Sequence, residues 1–248
     1  MTRVLVVNPL GCDLYDRLTL EVVGPAVAPD TEVVVRSLGD GVPPTPFLPA
    51  ASRFYNQLLA AVERAERDGF DAVAIACCSD PGLPEAKELV RIPVTAPMEA
   101  AVHTAAPLGR LGVIAPRIPS GDGENLPTDA NWVRSLVQRY GMAHAFAGVR
   151  SAPAGHPSAE VTARLLDQDP DGLRRLVRDE MAVSIAGSAM EQARRSHTDD
   201  EATVLFFACT IWGGLLDPIR QAVPVPVLDP LVTTVQFAEL LARAGAKR

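Results

Sequence analysis

Residues 71–100, DAVAIACCSDPGLPEAKELVRIPVTAPMEA, are written a second time, with substitutions, as residues 202–233, ATVLFFACTIWGGLLDPIRQAVPVPVLDPLVT. Each copy begins with a short apolar run ending in Ala-Cys. It continues through small or polar residues into a segment of helical character, and closes on a second apolar run opened by Ile-Pro-Val or Val-Pro-Val. That order predicts strand, turn carrying a cysteine, helix, strand. Cys77 and Pro93 are 16 residues apart, and Cys209 and Pro226 are 17 apart. One cysteine is therefore expected at the carboxyl end of a parallel strand in each of two related halves.

The repeat reaches further back. RVLVVNPL at 3–10 aligns without a gap with RLGVIAPR at 110–117, sharing the arginine, the apolar run and the proline. In the first half the patterning predicts strands at 3–7, 31–36, 71–76 and 92–96. Helices are expected at 13–27, at 52–68 with Leu58, Leu59, Val62 and Ala65 on one face, from Pro84, and at 98–106. In the second half, strands are expected at 110–117 and 144–150 and in the second cysteine run. Helices there are expected from a Thr128 cap to Gly141, at 158–168, at 171–195 and at 232–244. Strands alternating with helices specify parallel sheets with helices packed on them. The expected domains are 1–107 plus 231–248, and 108–230.

The halves differ in length, since Pro9 and Cys77 are 68 residues apart whereas Pro116 and Cys209 are 93 apart, a surplus of 25. Much of it is expected in RIPSGDGENLPTDAN, 117–131, read either as a cover for a site or as a surface insertion. The Pro/Gly-rich stretch 37–50 continues neither strand nor helix.

Composition narrows the class. Of 248 residues 48% are hydrophobic and 21% charged, which suits a packed globule rather than a disordered chain. The formal charge of −7 is scattered, and only Lys87 and Lys247 are lysines. No basic stripe exists to hold a phosphate backbone, which argues against a nucleic-acid partner. The opening MTRVLVVNPLG reads as a strand rather than a signal peptide, and no apolar run reaches the roughly 18 residues of a membrane span. These features point to the cytoplasm, where Cys12, Cys77, Cys78 and Cys209 are expected to be reduced. Their spacing is poor for zinc.

In open parallel sheets, sites form outside the carboxyl ends of the strands. A pseudo-twofold repeat aims Cys77 and Cys209 at one cleft from opposite sides. Two facing thiols suit removal of a proton from one face of a carbon and its return on the other, which is racemisation or epimerisation by two bases. A free thiol ionises near pH ~8.5, and a following helix N-terminus favours the thiolate. Backbone N–H groups around residues 78–80 and 210–212 are placed to hydrogen-bond the enolate oxygen. Neither a metal nor an organic cofactor is required. The competing reading is that a cysteine at a strand end is a small buried hydrophobe. It stands for Cys12 and Cys78, whereas matched cysteines in a repeat that otherwise shares few residues favour chemistry for Cys77 and Cys209.

IACCSDPGL followed by IPVTAPMEAA resembles the signature of hydantoin racemases within the aspartate/glutamate racemase superfamily, whose usual form is close to IACFGDPGL and then a PV-x-x-x-x-EA stretch. The LGRLGVIAP restart, Tyr140-Gly141, the Cys209 segment and the closing PVLDP fall in the family's order, so the resemblance covers nearly the whole chain. It implies two pseudo-symmetric α/β lobes, each a four-stranded parallel sheet flanked by helices, with the active site in the cleft between them. It also implies cofactor-independent proton transfer on a small-molecule substrate, Cys77 and Cys209 as the catalytic pair, and a homo-oligomer. Asn8, Ser79, Asp80 and Thr210, with Cys78 and Ile211 beside them, would line the substrate pocket. The chain departs from the family at Leu10-Gly11-Cys12, where NPNTS is usual, at Cys78, at Ala208 and at Ile211-Trp212. The pocket wall is therefore expected to differ from that of an enzyme for simple 5-substituted hydantoins.

Other residues carry weaker signals. Asp80 and Asp229 are site residues or turn formers, Glu99 is read as a helix-start carboxylate, and Trp212 and Phe47 as pocket wall or core. His103, His144, His156 and His197 have no partner motif. Rival functions are a maleate-type cis–trans isomerase and, in a different class, a non-catalytic small-molecule-binding protein. Malonate decarboxylases of this superfamily keep only the second cysteine, and Cys77 argues against that route.

Overall fold

Continuous apolar runs become central strands, and the flanking half-apolar runs become edges. The computed structural model describes residues 1–39, 41–45, 49–117, 130–155 and 157–245. Phe47, Thr128, His156 and most of the 117–131 loop lie outside them. In order, the elements are β1 (Thr2–Asn8), α1 (Asp16–Val23), β2 (Thr31–Ser37), α2 (Tyr55–Arg67), β3 (Ala72–Ile75), α3 (Leu83–Leu89), β4 (Val94–Thr95) and α4 (Pro97–Ala105). The repeat follows with β5 (Leu111–Arg117), α5 (Asn131–Arg139), β6 (Phe146–Pro153), α6 (Ala159–Gln168), α7 (Pro170–Ser184), α8 (Met190–Thr198), β7 (Val204–Phe207), α9 (Asp217–Ala222), β8 (Val227–Leu228) and α10 (Pro230–Gly245). The chain falls into two compact units, 1–97 with 231–248 and 98–230, so that most of α4 belongs with the second.

Each unit holds a four-stranded parallel sheet, ordered β2-β1-β3-β4 in the first and β6-β5-β7-β8 in the second. Val4 lies beside Val33 and Ala72, and its counterpart Leu111 beside Phe146 and Val204. The expected class, two four-stranded parallel sheets flanked by helices, is the observed one. Every residue of β3 and β7 is buried, as strands covered on both faces require. In the first unit Val4, Val6, Ala72 and Ala74 pack under Val23 of α1 and Leu231, Val235 and Ala238 of α10. On α2, Leu58, Val62 and Ala65 form the buried stripe, and this helix touches β1 and β3. Burying each of those larger side chains contributes roughly 1.5–3 kcal/mol relative to exposure.

The duplication persists in the hydrogen bonds. The Asp71 N–H donates to the Arg3 carbonyl at 2.8 Å, and the Thr203 N–H to the Arg110 carbonyl at 2.9 Å. In return the Arg3 N–H donates to Asp71 Oδ2, and the Arg110 N–H to Thr203 Oγ1, both at 2.8 Å. The prolines opening the fourth strands act alike. Pro93 and Pro226 have no N–H to give, and their carbonyls accept the N–H groups of Val73 and Leu205, each at 2.9 Å.

Two expectations need correction. The starts of β2 and β3 are 41 residues apart and those of β6 and β7 are 58 apart, so 17 of the 25 surplus residues lie after β6 begins rather than in 117–131. The expected loop at 117–131 falls mostly outside the described residues, whereas the residues added after β6 are largely helical, in α6, α7 and α8. The expected single helix at 171–195 is α7, a π-helical turn at Ile185–Ala189, and α8. The hydroxyls of Ser184, just before that turn, and of Ser188, within it, both donate to the Pro153 carbonyl at 2.8 Å, at the carboxyl end of β6. The expected Thr128 cap lies outside the described residues, and two other helices are capped by side chains. Ser158 accepts the Val161 N–H at 3.3 Å and Asp169 accepts the Gly172 N–H at 2.8 Å.

Candidate active site

Beyond β3 the pairing continues for one residue, the Ala76 N–H donating to the Val7 carbonyl at 2.8 Å. The chain then doubles back. The Cys77 N–H donates to the Ile75 carbonyl at 2.9 Å, and the Cys77 carbonyl accepts the Asp80 N–H at 3.0 Å. After β7 the same bonds recur. Ala208 donates to Ile114 at 2.8 Å, Cys209 to Phe207 at 3.0 Å, and Trp212 to Cys209 at 3.0 Å. Two residues after the closing position, Gly82 and Gly214 take φ of +64° and +73°, a left-handed conformation that costs glycine little. The two cysteines thus occupy matching places in matching turns at the carboxyl ends of the third strands.

The side chains on that shared backbone differ. Cys77 is half-buried, with its sulfur 3.3 Å from the Ser79 hydroxyl. Crowding around the sulfur pushes the Cys77 thiol up from its ordinary value, and the Asp80 charge adds to this. Hydrogen bonds from the Ser79 hydroxyl and N–H act in the opposite direction. Cys78 and Asp80 are buried, and Asp80 has a φ of +48°. In the second unit Cys209, Thr210 and Ile211 are half-buried, while Trp212 is fully buried with its ring set edge-on against Phe207, centroids 5.8 Å apart. None of the four cysteines is in a disulfide.

Asn8 ends β1 in the first sheet, and Ala115 takes its place in the second. It is buried, and its amide donates to Asp16 Oδ1 at 2.6 Å. The Ser37 hydroxyl donates to the same oxygen at 2.7 Å, and the Ser37 N–H to Oδ2 at 2.9 Å. Asp16, unsuspected from sequence, therefore ties together the ends of β1 and β2 at the start of α1, where a carboxylate suits the helix dipole. Within the departure at Leu10-Gly11-Cys12, the glycine has a steric basis. The backbone of Val42 and Pro43 lies against Gly11, and a Cβ there would overlap the Val42 carbonyl. Cys12 donates to the Thr45 carbonyl at 3.8 Å, and burial foremost pushes its thiol up.

A second residue without a sequence signal is Arg178 on α7, whose guanidinium donates to the carbonyls of Ile211 at 2.7 Å and Gly213 at 2.9 Å. Asp229, at the end of β8, is buried and accepts the Gly214 N–H at 2.7 Å. Glu99 is buried as well. Among the described residues no cluster of three or more His, Cys, Asp or Glu side chains is placed to hold a metal ion, and no helix is long and apolar enough to cross a membrane.

Residues 4–238 match the family model described as Asp/Glu/Hydantoin racemase. The chain belongs to the Asp/Glu/hydantoin racemase family. Among relatives of this racemase-family chain, the hydantoin racemase of Pseudomonas sp. (strain NS671) is 27% identical over 191 residues, covering 77% of the chain. The match spans 66% of that relative's length, just under two thirds. The hydantoin racemase of Paenarthrobacter aurescens is 27% identical over 246 residues, 98% of the chain and 92% of that protein. In three dimensions the chain is similar to the allantoin racemase from Klebsiella pneumoniae, with a TM-score of 0.74 at 22% identity over 99% of this chain and 89% of the other.

Proposed function

We propose that the protein is a cofactor-independent racemase or epimerase that moves an α-proton between Cys77 and Cys209 on a hydantoin-like or otherwise amino-acid-derived substrate. The observation that supports this most is the recurrence of one hydrogen-bonded turn with a cysteine at the same place in both sheets. In the proposed reaction one cysteine, as thiolate, takes the α-proton, and the C–H electron pair moves into the adjacent carbonyl to give an enolate. The other cysteine, as thiol, donates its proton to the opposite face of the carbon and is left as the thiolate. Each turnover exchanges the roles of the two sulfurs, and the reverse direction restores them. Burial of Cys77 raises its thiol and so favours its protonated form. Asn8, Cys78, Ser79, Asp80, Thr210 and Ile211 are proposed to contact substrate, with the lobes 1–107 plus 231–248 and 108–230 facing a common cleft.

The test uses single enantiomers of 5-substituted hydantoins and of allantoin in deuterated water with wild type, Cys77→Ser and Cys209→Ser. Wild type is expected to racemise at least one of them with deuterium uptake. Each variant should lose racemisation by about 1,000-fold, in the upper range of a lost general acid or base. Each should retain exchange on one enantiomer only, opposite for the two variants. Undiminished racemisation in both variants would remove the two-base reading.

A further inference from the structure

Resting on that reading of Cys209, we infer that Arg178 is a positioning residue for the second cysteine turn. A guanidinium is planar with its N–H groups at fixed angles, and here a single nitrogen, Nη1, donates to two carbonyls of one short segment, those of Ile211 and Gly213. Both carbonyls are thereby directed toward α7. From another element, buried Asp229 accepts the N–H of Gly214. The segment 211–214 is thus fixed by side chains from two elements, and it continues directly from a turn already closed by the Trp212-to-Cys209 hydrogen bond. The first copy of the repeat is built otherwise: Ala96 stands where Asp229 does, and Ser79, whose hydroxyl lies beside the sulfur, stands where Ile211 does. Cys77 is held by a hydroxyl two residues on. At Cys209 that position is aliphatic, and the clamp from α7 sets the turn instead.

Proton transfer is sensitive to such placement, because a displacement of about 1 Å costs on the order of 100-fold in rate. Arg178→Met keeps an aliphatic stem and removes the donors, and Arg178→Lys keeps the charge and a donor nitrogen without the fixed planar geometry. The first readout needs no substrate: iodoacetamide labelling of each cysteine followed by peptide mass spectrometry, read on the high-pH plateau where thiolate formation is complete. Arg178→Met should raise the Cys209 plateau rate about 3-fold or more and leave Cys77 superimposable on wild type, with Arg178→Lys intermediate. The second readout is deuterium exchange by enantiomer. Arg178→Met should slow, by about 10-fold or more, the same enantiomer that Cys209→Ser blocks, with the other within about 2-fold. An unchanged Cys209 plateau, or equal changes at both cysteines or on both enantiomers, would overturn the clamp as a device specific to Cys209. If wild type neither racemises nor exchanges any substrate, the racemase reading fails, while the labelling result still decides the clamp.

Discussion

After Cys77 the turn closes on Asp80, a buried aspartate at a φ of +48°, whereas the matching place after Cys209 holds Trp212, fully buried against Phe207. The same N–H to carbonyl bond is made by both, at 3.0 Å. A duplicated backbone can therefore keep its hydrogen bonds while the means of holding it diverge. In the first unit a polar residue tolerates a left-handed conformation that costs most residues roughly 1–2 kcal/mol. In the second, an indole anchors the turn to β7 through apolar burial.

If anchoring differs in this way, deleting each side chain should cost unequal amounts. Trp212→Ala should destabilise the protein by about 3–5 kcal/mol, as removal of a large core aromatic does. Asp80→Ala should cost about 1–2 kcal/mol, mainly from alanine at a left-handed φ. Guanidinium unfolding of both variants measures the ratio, and equal losses would erase the distinction. Among the described residues the Trp212 Nε1–H is buried without a hydrogen-bond partner, so Trp212→Phe should retain most of the anchor. Next in size, Asp229→Ala leaves the Gly214 N–H unpaired, at a cost of about 1–3 kcal/mol in the same assay. Asp229→Asn should recover part of this, since an amide oxygen still accepts.

Much of this architecture was legible because parallel strands buried on both faces leave an unbroken apolar trace, and VAIAC and LFFAC are such traces. The prolines at 93 and 226 were legible for a related reason, as a strand start tolerates a missing N–H. The surplus after β6 was misassigned because loop composition is conspicuous while added helix is not. The π-helical turn was invisible, since Ile185-Ala186-Gly187-Ser188-Ala189 contains no proline to interrupt a helical reading, and the acceptor shared by Ser184 and Ser188 sits on another element. Asp16 and Arg178 escaped for the same reason. Their partners, Asn8 and Ser37 in one case and two backbone carbonyls in the other, are brought to them by the tertiary fold.

The smallest effect concerns the position two residues after each cysteine. Ser79 is exposed, so Ser79→Ala should change stability by no more than about 0.5 kcal/mol. Its hydroxyl and its N–H both lower a Cys77 thiol that burial raises, and alanine removes only the hydroxyl. The thiol should then rise further, and the pH profile of Cys77 alkylation should move toward alkaline pH. The exchange that depends on Cys77 as thiolate should move the same way, because at a fixed pH below that ionisation a smaller fraction is thiolate. The converse variant, Ile211→Ser, puts a hydroxyl at the matching place beside Cys209 and should move the Cys209 profile toward acid. If Ser79→Ala leaves the Cys77 profile unmoved, the 3.3 Å approach of oxygen to sulfur is not a hydrogen bond that matters for ionisation. The asymmetry between the turns would then reside in Asp80, Trp212 and the α7 clamp alone.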